Sequence, residues 1–413
     1  VSQSSTATQT PKTPPERDPR LVEATGLNAV TRRLRGGELG AWPVIIGLIV
    51  IWIVFQSLNN RFLTAQNLSN MTLQIASTGI ISVGVVLVLL LGEIDLSVAS
   101  VAGVAAASLA VMSVRHGMPE ILATILVLLI GAAIGLFQGS IFARLGVPAF
   151  VVTLAGNIGW LGLQLWLLSP EGTINIPYDG FVASLTHTYM VPVVGWIIGI
   201  AIVVLYALAA LRGRQRRLAA GLPVPSQTML LVRIVGLAVL VLATVVVLNA
   251  WKGVPLALLI FVGFVVVFDL ILRRTQYGRK VFALGGNVEA ARRAGINVAL
   301  IRISVFVLAS ALAAVGGVLA ASRGYSAGQS TPGPDVLLVA ISAAVIGGTS
   351  LFGGRGSTYS ALLGSLVLGS ITSGMFLLQL DSSVRYMITA AVLLAAVILD
   401  SLARRGRQAS GRG

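Results

Sequence analysis

Residues 278–296, GRKVFALGGNVEAARRAGI, form a polar, basic island between two long apolar runs, 254–272 and 301–321. Asn287 is placed to cap a short helix by accepting hydrogen bonds from its free N–H groups. Glu289 then stands three and four residues before Arg292 and Arg293, on one helix face, where opposite charges pair. Ala290 and Ala291 fill the turn between them. Gly295 is placed to end the helix in a left-handed turn. The chemistry on offer is recognition rather than bond-making, since an exposed charged helix gives a soluble protein something to grip. An ordinary basic surface loop has the same composition and stays open as the alternative.

A second set of chemically useful residues is neutral and polar. Gln74 sits in one apolar run, Gln138 in another, and Asn157, Trp160 and Gln164 share a third. Amides and aromatic faces together suit an uncharged, hydroxylated solute, with amides exchanging hydrogen bonds and rings covering C–H faces. Asp95, in the short break GEID between two runs, joins them as a candidate for lining a path, because an unpaired carboxylate at membrane depth must reach water or a cavity. Polar contacts between helices are the competing use of each of these residues.

The elements that must position both sets are membrane helices. The chain has 413 residues, 56% hydrophobic and 10% charged, far below the charged share of about 25% in soluble domains. Runs of about 20 apolar residues, the length that crosses a bilayer core, recur along it. Twelve segments are predicted: 42–58, 71–91, 96–113, 120–143, 149–168, 191–211, 230–250, 254–272, 301–321, 335–351, 358–379 and 385–402. A barrel is excluded, because its strands alternate polar and apolar residues over short segments. The fold class is therefore an all-α polytopic membrane protein with about twelve transmembrane or partly re-entrant helices. Asp95 is expected to cap the helix beginning at Leu96, and the short segment 335–351 to line a cavity rather than cross. Stripes of small residues, Gly131 with Gly135 and Gly139, Gly195 with Gly199, and Ala313 with Gly317, predict close helix approach.

Alternating the twelve segments from an inside N-terminus leaves only Arg61, Arg115, Lys252, Arg323 and Arg385 outside, of 29 Lys and Arg in all. That bias puts both termini in the cytoplasm. It also accounts for the net charge of +15 without nucleic acid as a partner; membrane lipid is the surface these charges face. Residues 1–36, rich in Ser, Thr, Pro and Arg, read as a disordered cytoplasmic tail with a short interfacial helix near 28–36. Residues 37–402 form the transmembrane domain, with the surface helix near 287–295, and 403–413 form a basic cytoplasmic tail. With no cysteine and two histidines, no metal site is expected.

No energy source is visible in the chain. A P-loop needs a lysine after its glycines, and Lys12, Lys252 and Lys280 stand in no such setting. The glycine-rich run 347–356 lacks lysine and reads as a tight turn. Ion coupling leaves acids or histidines deep in spans, whereas Asp269 and Asp400 lie at span ends beside Arg273, Arg274 and Arg404. No catalytic cluster is present. The surface helix is then expected to be the foothold of a separate ATPase. A self-sufficient secondary carrier or facilitator for a small polar solute is the alternative.

The stretches 92–98 (GEIDLSV), 278–296 and 340–356 (AISAAVIGGTSLFGGRG) resemble the membrane permeases of bacterial monosaccharide ABC importers, the ribose, galactose and xylose permease family. Glu289-Ala290-Ala291 with Gly295 echoes the short signature of importer permeases, without its leucine–proline ending. The ribose-type members look two spans shorter, and the pair 191–211 and 230–250 around Arg212–Arg217 looks like the xylose-type branch. The resemblance implies a multi-pass protein of the inner membrane that imports a monosaccharide, D-xylose by the branch. It implies a homodimer with a second permease copy, an ABC ATPase subunit carrying ATP–Mg, and a periplasmic sugar-binding protein, with no cofactor in this chain. The coupling residues would be Asn287, Glu289, Ala290, Ala291, Arg292, Arg293 and Gly295. The path would involve Gln74, Asp95, Gln138, Asn157, Trp160 and Gln164. Arg61, Arg323 and Arg385 would face the binding protein.

Overall fold

A computed structural model describes residues 42–222, 224, 226–333 and 335–409. The N-terminal tail, its expected helix near 28–36 and the side chains of Asp400 and Arg404 lie outside what is described. The chain divides into two units, Ala41–Ser401 and a second made of the first 40 residues with Leu402–Gly413. The membrane domain belongs to the first.

Each of the twelve apolar segments is a helix. In order these are α1 (Trp42–Leu58), α2 (Ala65–Leu90), α3 (Val98–Ala110, continued by a π-helical turn Val111–Arg115), α4 (Glu120–Leu145) and α5 (Ala149–Leu168). After β1 (Thr173–Asn175), a short α6 (Phe181–His187) and β2 (Tyr189–Met190) come α7 (Pro192–Ala219) and α8 (Gln227–Asn249). Then follow β3 (Val254–Pro255), α9 (Leu256–Arg274), α10 (Gln276–Gly286), α11 (Val288–Arg293) and α12 (Val298–Gly324). The chain closes with β4 (Ser326–Gly328), α13 (Val336–Ile346), α14 (Thr358–Leu377) and α15 (Ser382–Ala409). Among the described residues nine helices are long and apolar enough to cross a membrane, and three apolar helices are shorter. At 1.5 Å per residue α13 spans about 16 Å, half of a bilayer core, as its flanking prolines and glycines suggest.

α2 is the central post. It carries no charged residue, and 89% of its most apolar stretch is buried. Small and hydroxylated residues let its neighbours close in. A side-chain carbon on Gly84 would lie 2.9 Å from the Ala309 carbonyl oxygen on α12. Ser77 and Ser82 donate to the carbonyls of Gly316 (2.7 Å) and Ala340 (2.9 Å) on α12 and α13. The stripe Gly131, Gly135, Gly139 on α4 also meets α12, with a carbon on Gly135 falling 2.3 Å from the Phe306 carbonyl oxygen. By contrast α7 and α8 are only 11% and 6% buried over the same measure. They pack on one another at Gly199 and Val245 and otherwise present apolar side chains outward, as lipid-facing helices do.

The loops meet as alternating spans require. β1 pairs antiparallel with β4, and β2 with β3, so the connections predicted outside share one face. Arg115 helps to close that face, donating to the Leu167 carbonyl (2.9 Å) and pairing with Glu171. The connections at 91–97, 275–297 and 347–357 share the other face, which is rich in Lys and Arg and therefore cytoplasmic.

One expectation fails. Asp95 does not cap a helix starting at Leu96; the helix starts at Val98, and its N-cap Ser97 makes no side-chain cap bond. Asp95 Oδ1 instead accepts from the N–H (2.8 Å) and Oγ (2.6 Å) of Ser97. That two-residue reach is a side-chain-closed turn, which competes with capping.

Candidate coupling and solute sites

The exposed helix assembles as its residue types dictate. Asn287 Oδ1 accepts from the Ala290 N–H at 2.9 Å. Glu289 pairs with Arg292 (3.0 Å) and Arg293 (3.6 Å). Gly295, at φ +79°, lets the chain turn, and the Gly295 and Ile296 N–H groups bond back to the carbonyls of Arg292 and Ala291. Ala291 is the buried anchor, 4% exposed, whereas Arg292 and Arg293 side chains are 62% and 81% exposed. Exposed pairs of this kind are worth less than about 1 kcal/mol each, so the arginines remain available to another surface. The sequence reading missed the preceding α10, a second surface helix capped by Thr275, whose Oγ1 accepts from the Gly278 N–H. Its Val281 and Leu284 are buried, and that apolar spacing was the available signal.

The three stretches singled out in the sequence converge here. The Gly354 N–H donates to the carbonyl of Leu90 at the end of α2 (2.9 Å). A side-chain carbon on Gly285, at the end of α10, would lie 1.8 Å from that same oxygen and 2.7 Å from the Gly354 nitrogen. One on Gly353 would lie 2.7 Å from the Gly285 carbonyl oxygen and 2.8 Å from the Gly92 nitrogen. Backbone thus touches backbone among α10, the end of α2 and the turn at 347–356, with no side chain between. Beside this knot Arg302, at the start of α12, pairs with Glu93 (3.4 Å) and covers the Phe142 ring at 4.5 Å. Burial pushes the Glu93 carboxyl above its ordinary pKa, with Arg302 pulling the other way. These groups line a cytoplasmic recess of about 370 Å³ with Ile94, Pro148 and Phe150.

The six path candidates do not share one site. Asp95, Gln138, Asn157 and Trp160 gather where α3, α4 and α5 meet. Ser97 Oγ, besides its bond to Asp95, lies 3.0 Å from Gln138 Oε1, and Ser100 Oγ lies 2.5 Å from Asn157 Oδ1. Gly156 makes room for Gln138, since a carbon there would lie 2.0 Å from Gln138 Nε2 and 3.1 Å from Trp160 Nε1. Asp95 is 3% exposed and Gln138 1%, and burial pushes the Asp95 carboxyl up against the lowering bonds from Ser97. Asp95 and Gln138 are shut away, while Asn157 and Trp160 beside them are half-buried. Gln164 is used elsewhere, its Nε2 donating to the carbonyls of Gly328 (3.0 Å), Gln329 (3.3 Å) and Thr331 (2.9 Å). It pins the outer loop after β4.

Gln74 lies apart, on a partly open cavity of about 440 Å³ bounded by α2, α12, α13 and α14. Arg323 lines the same cavity, so its place is a cavity wall, not only an outer surface. Arg385 donates to Ser382 Oγ (2.7 Å) and lies over the Phe376 ring at 4.1 Å. Arg61 is exposed on the turn before α2. Ser365, Thr372 and Asp335 also line the cavity and were missed. The seven-residue spacing of Ser365 and Thr372, two turns on one helix face, was the signal.

The family described as "branched-chain amino acid transport system / permease component" matches residues 67–397. The xylose transport system permease protein XylH of Escherichia coli K12 is 35% identical over 373 residues, covering 90% of this chain and 94% of that one. XylH of Haemophilus influenzae is 31% identical, covering 89% and 98%. The ribose import permease protein RbsC of E. coli K12 is 32% identical, covering 86% and 92%. No solved structure matches the chain.

Proposed function

Because the chain belongs to this family of transport-system permease components, we propose that it forms the path for D-xylose in an ATP-driven importer of the bacterial cytoplasmic membrane. It is the membrane subunit of an ABC sugar importer and not an enzyme. The pentose rests on the near full-length likeness to proteins named for xylose transport.

In this reading two copies enclose the path, a periplasmic binding protein delivers the sugar to the outer face, and Arg61 is a candidate contact for it. ATP–Mg is bound and hydrolysed by a separate ATPase that grips α11 through Glu289, Arg292 and Arg293. The observation that carries the proposal is the glycine knot. A push on α11 passes to α10, which abuts the Leu90 carbonyl at the end of the central post with nothing compressible between them. Packed backbone transmits displacement because interiors are close-packed and low in compressibility. The push shifts the permease only if the ATPase binds two of its states with different affinity.

The test is reconstitution in liposomes with the ATPase chain and binding protein, over a panel of pentoses and hexoses. ATP-dependent accumulation of xylose ahead of the other sugars is expected. Uphill xylose flux by the chain alone would overturn the reading in favour of a secondary carrier.

A further inference from the structure

We propose that the cavity between α2, α12, α13 and α14 holds one neutral sugar in transit, with Gln74, Asp335 and Ser365 as its hydrogen-bonding groups and Arg323 at its outer mouth. The inference rests on the importer reading and adds the place where this chain itself meets the solute.

The position fits. Gln74 is nine residues into α2 from its outer end, about 13 Å along the axis, and Arg323, Gly324 and Asp335 stand at outer helix ends. The cavity therefore runs from the outer face towards mid-membrane. Its volume of about 440 Å³ falls within the ~300–1,000 Å³ usual for small-molecule sites.

The hydrogen bonding is the stronger argument. Ser365 is 3% exposed and its Oγ has no partner among the described residues. The side chains of Gln74, Thr78, Arg323, Asp335 and Thr372, which line the same space, likewise make no hydrogen bond or ion pair among the described residues. Asp335 occupies the N-cap position of α13 without capping it. Buried polar groups are almost always paired, so the free hydroxyl of buried Ser365, beside half-buried Gln74, Thr78, Asp335 and Thr372 and exposed Arg323, leaves donors and acceptors open to what enters the cavity. An amide, three hydroxyls, one carboxylate and one guanidinium can both donate and accept, and their formal charges cancel. Ile75, Val336, Val339 and Leu368 supply apolar wall between them. That combination suits a polyol with C–H faces and favours neither an anion nor a cation.

The natural chain has no cysteine, which makes single thiols readable. In the complete importer, Gln74→Cys and Ser365→Cys are expected to react with a small charged thiol reagent added from outside, while Gln138→Cys in the packed cluster stays unreactive. Gln74→Leu and Asp335→Asn are each expected to lower xylose uptake about fivefold or more, the worth of one or two hydrogen bonds, while sugar-loaded binding protein still stimulates ATP hydrolysis. That retained stimulation reports a folded, coupled complex. Wild-type uptake by both substituted importers, or thiols at 74 and 365 no more reactive than at 138, would overturn the cavity assignment. Absence of ATP-dependent uptake by the unsubstituted complex would instead overturn the importer reading.

Discussion

The two polar regions inside this membrane domain treat their donors and acceptors in opposite ways. Around Gln74, six polar side chains line a cavity and make no hydrogen bond or ion pair among the described residues, while Ser77 beside them donates to the Gly316 carbonyl. Around Asp95 and Gln138, Ser97 and Ser100 draw the groups together, and both side chains are buried. The first opens at the outer end of the bundle. The second sits three residues beyond Gly92, on the cytoplasmic side, where α10 touches the end of α2. Asp95 Oδ2, Gln138 Nε2 and Trp160 Nε1 are shut away there without partners among the described residues. Each such atom costs about 1–3 kcal/mol. The outer polar groups therefore line a space, whereas the inner ones are turned on one another, beside the backbone contact among α10, the end of α2 and the turn at 347–356.

The sharpest way to break that comparison is at the knot. In Gly285→Val a side-chain carbon would overlap a backbone oxygen 1.8 Å away, and backbone cannot swing aside as a side chain does. Overpacking of this kind costs about 1–3 kcal/mol or more. ATP-dependent uptake is expected to vanish, while Gly286→Ala, with nothing within 4 Å of the added carbon, transports normally. Uptake and membrane abundance are measured together, and more than half of normal uptake in Gly285→Val would remove the knot from the coupling route.

Next in size is Arg292→Glu with Arg293→Glu. Both side chains are exposed, and losing their pairs with Glu289 costs under about 1 kcal/mol each, so the fold should survive. Uptake should fall more than about tenfold, as expected when charge-assisted contacts across an interface are reversed, and ATP hydrolysis should no longer follow sugar supply. Normal uptake by this double substitution would remove the foothold from α11.

Much of this was legible in the sequence, and the limits have physical causes. The twelve helices follow from apolar run length, and the small-residue stripe on α4 follows from four-residue spacing. The cap of α11 follows from Asn287 and Gly295 standing at its two ends. The apolar run places the start of α2 at 71, six residues beyond its true start, because Gln66, Asn67, Ser69 and Asn70 interrupt the run although Thr64 caps the helix ahead of them. The knot was not legible, since it joins glycines some 190 and 70 residues apart and depends on which helix ends meet. Nor was the split among path candidates. Position along a helix gives depth in the membrane, but the direction in which Gln74 or Gln138 faces depends on neighbours that spacing does not name.

A smaller effect separates the two regions by pH. Asp95 is buried with its carboxyl pushed above its ordinary value, mainly by desolvation. A carboxyl raised in the folded state binds more protons than in the unfolded one across the window from its ordinary pKa up to its raised value. Its contribution is fully present below that window and is lost as pH rises through it. The detergent-solubilised protein should therefore melt at lower temperature as pH rises, and Asp95→Asn should reduce that slope while keeping an Oδ1 acceptor for Ser97. An unchanged slope in Asp95→Asn would mean the carboxyl is hydrated and the cluster is not shut.

The smallest effect is expected at the periphery, and it tests whether the comparison is confined to the core. α7 and α8 are almost wholly outward-facing, and Ile197 is 61% exposed. A carbon on Gly236 has nothing within 4 Å. Ile197→Ala and Gly236→Ala remove or add little buried contact, and surface changes of this kind stay within about 0.5 kcal/mol. Xylose uptake and its selectivity over hexoses should stay within about twofold of normal, the factor that so small a difference allows. A shift in selectivity without a loss of abundance would mean that this pair reaches the solute or a partner through that outer face. The distinction between a receptive core and a lipid-facing rim would then have to be redrawn around α7 and α8.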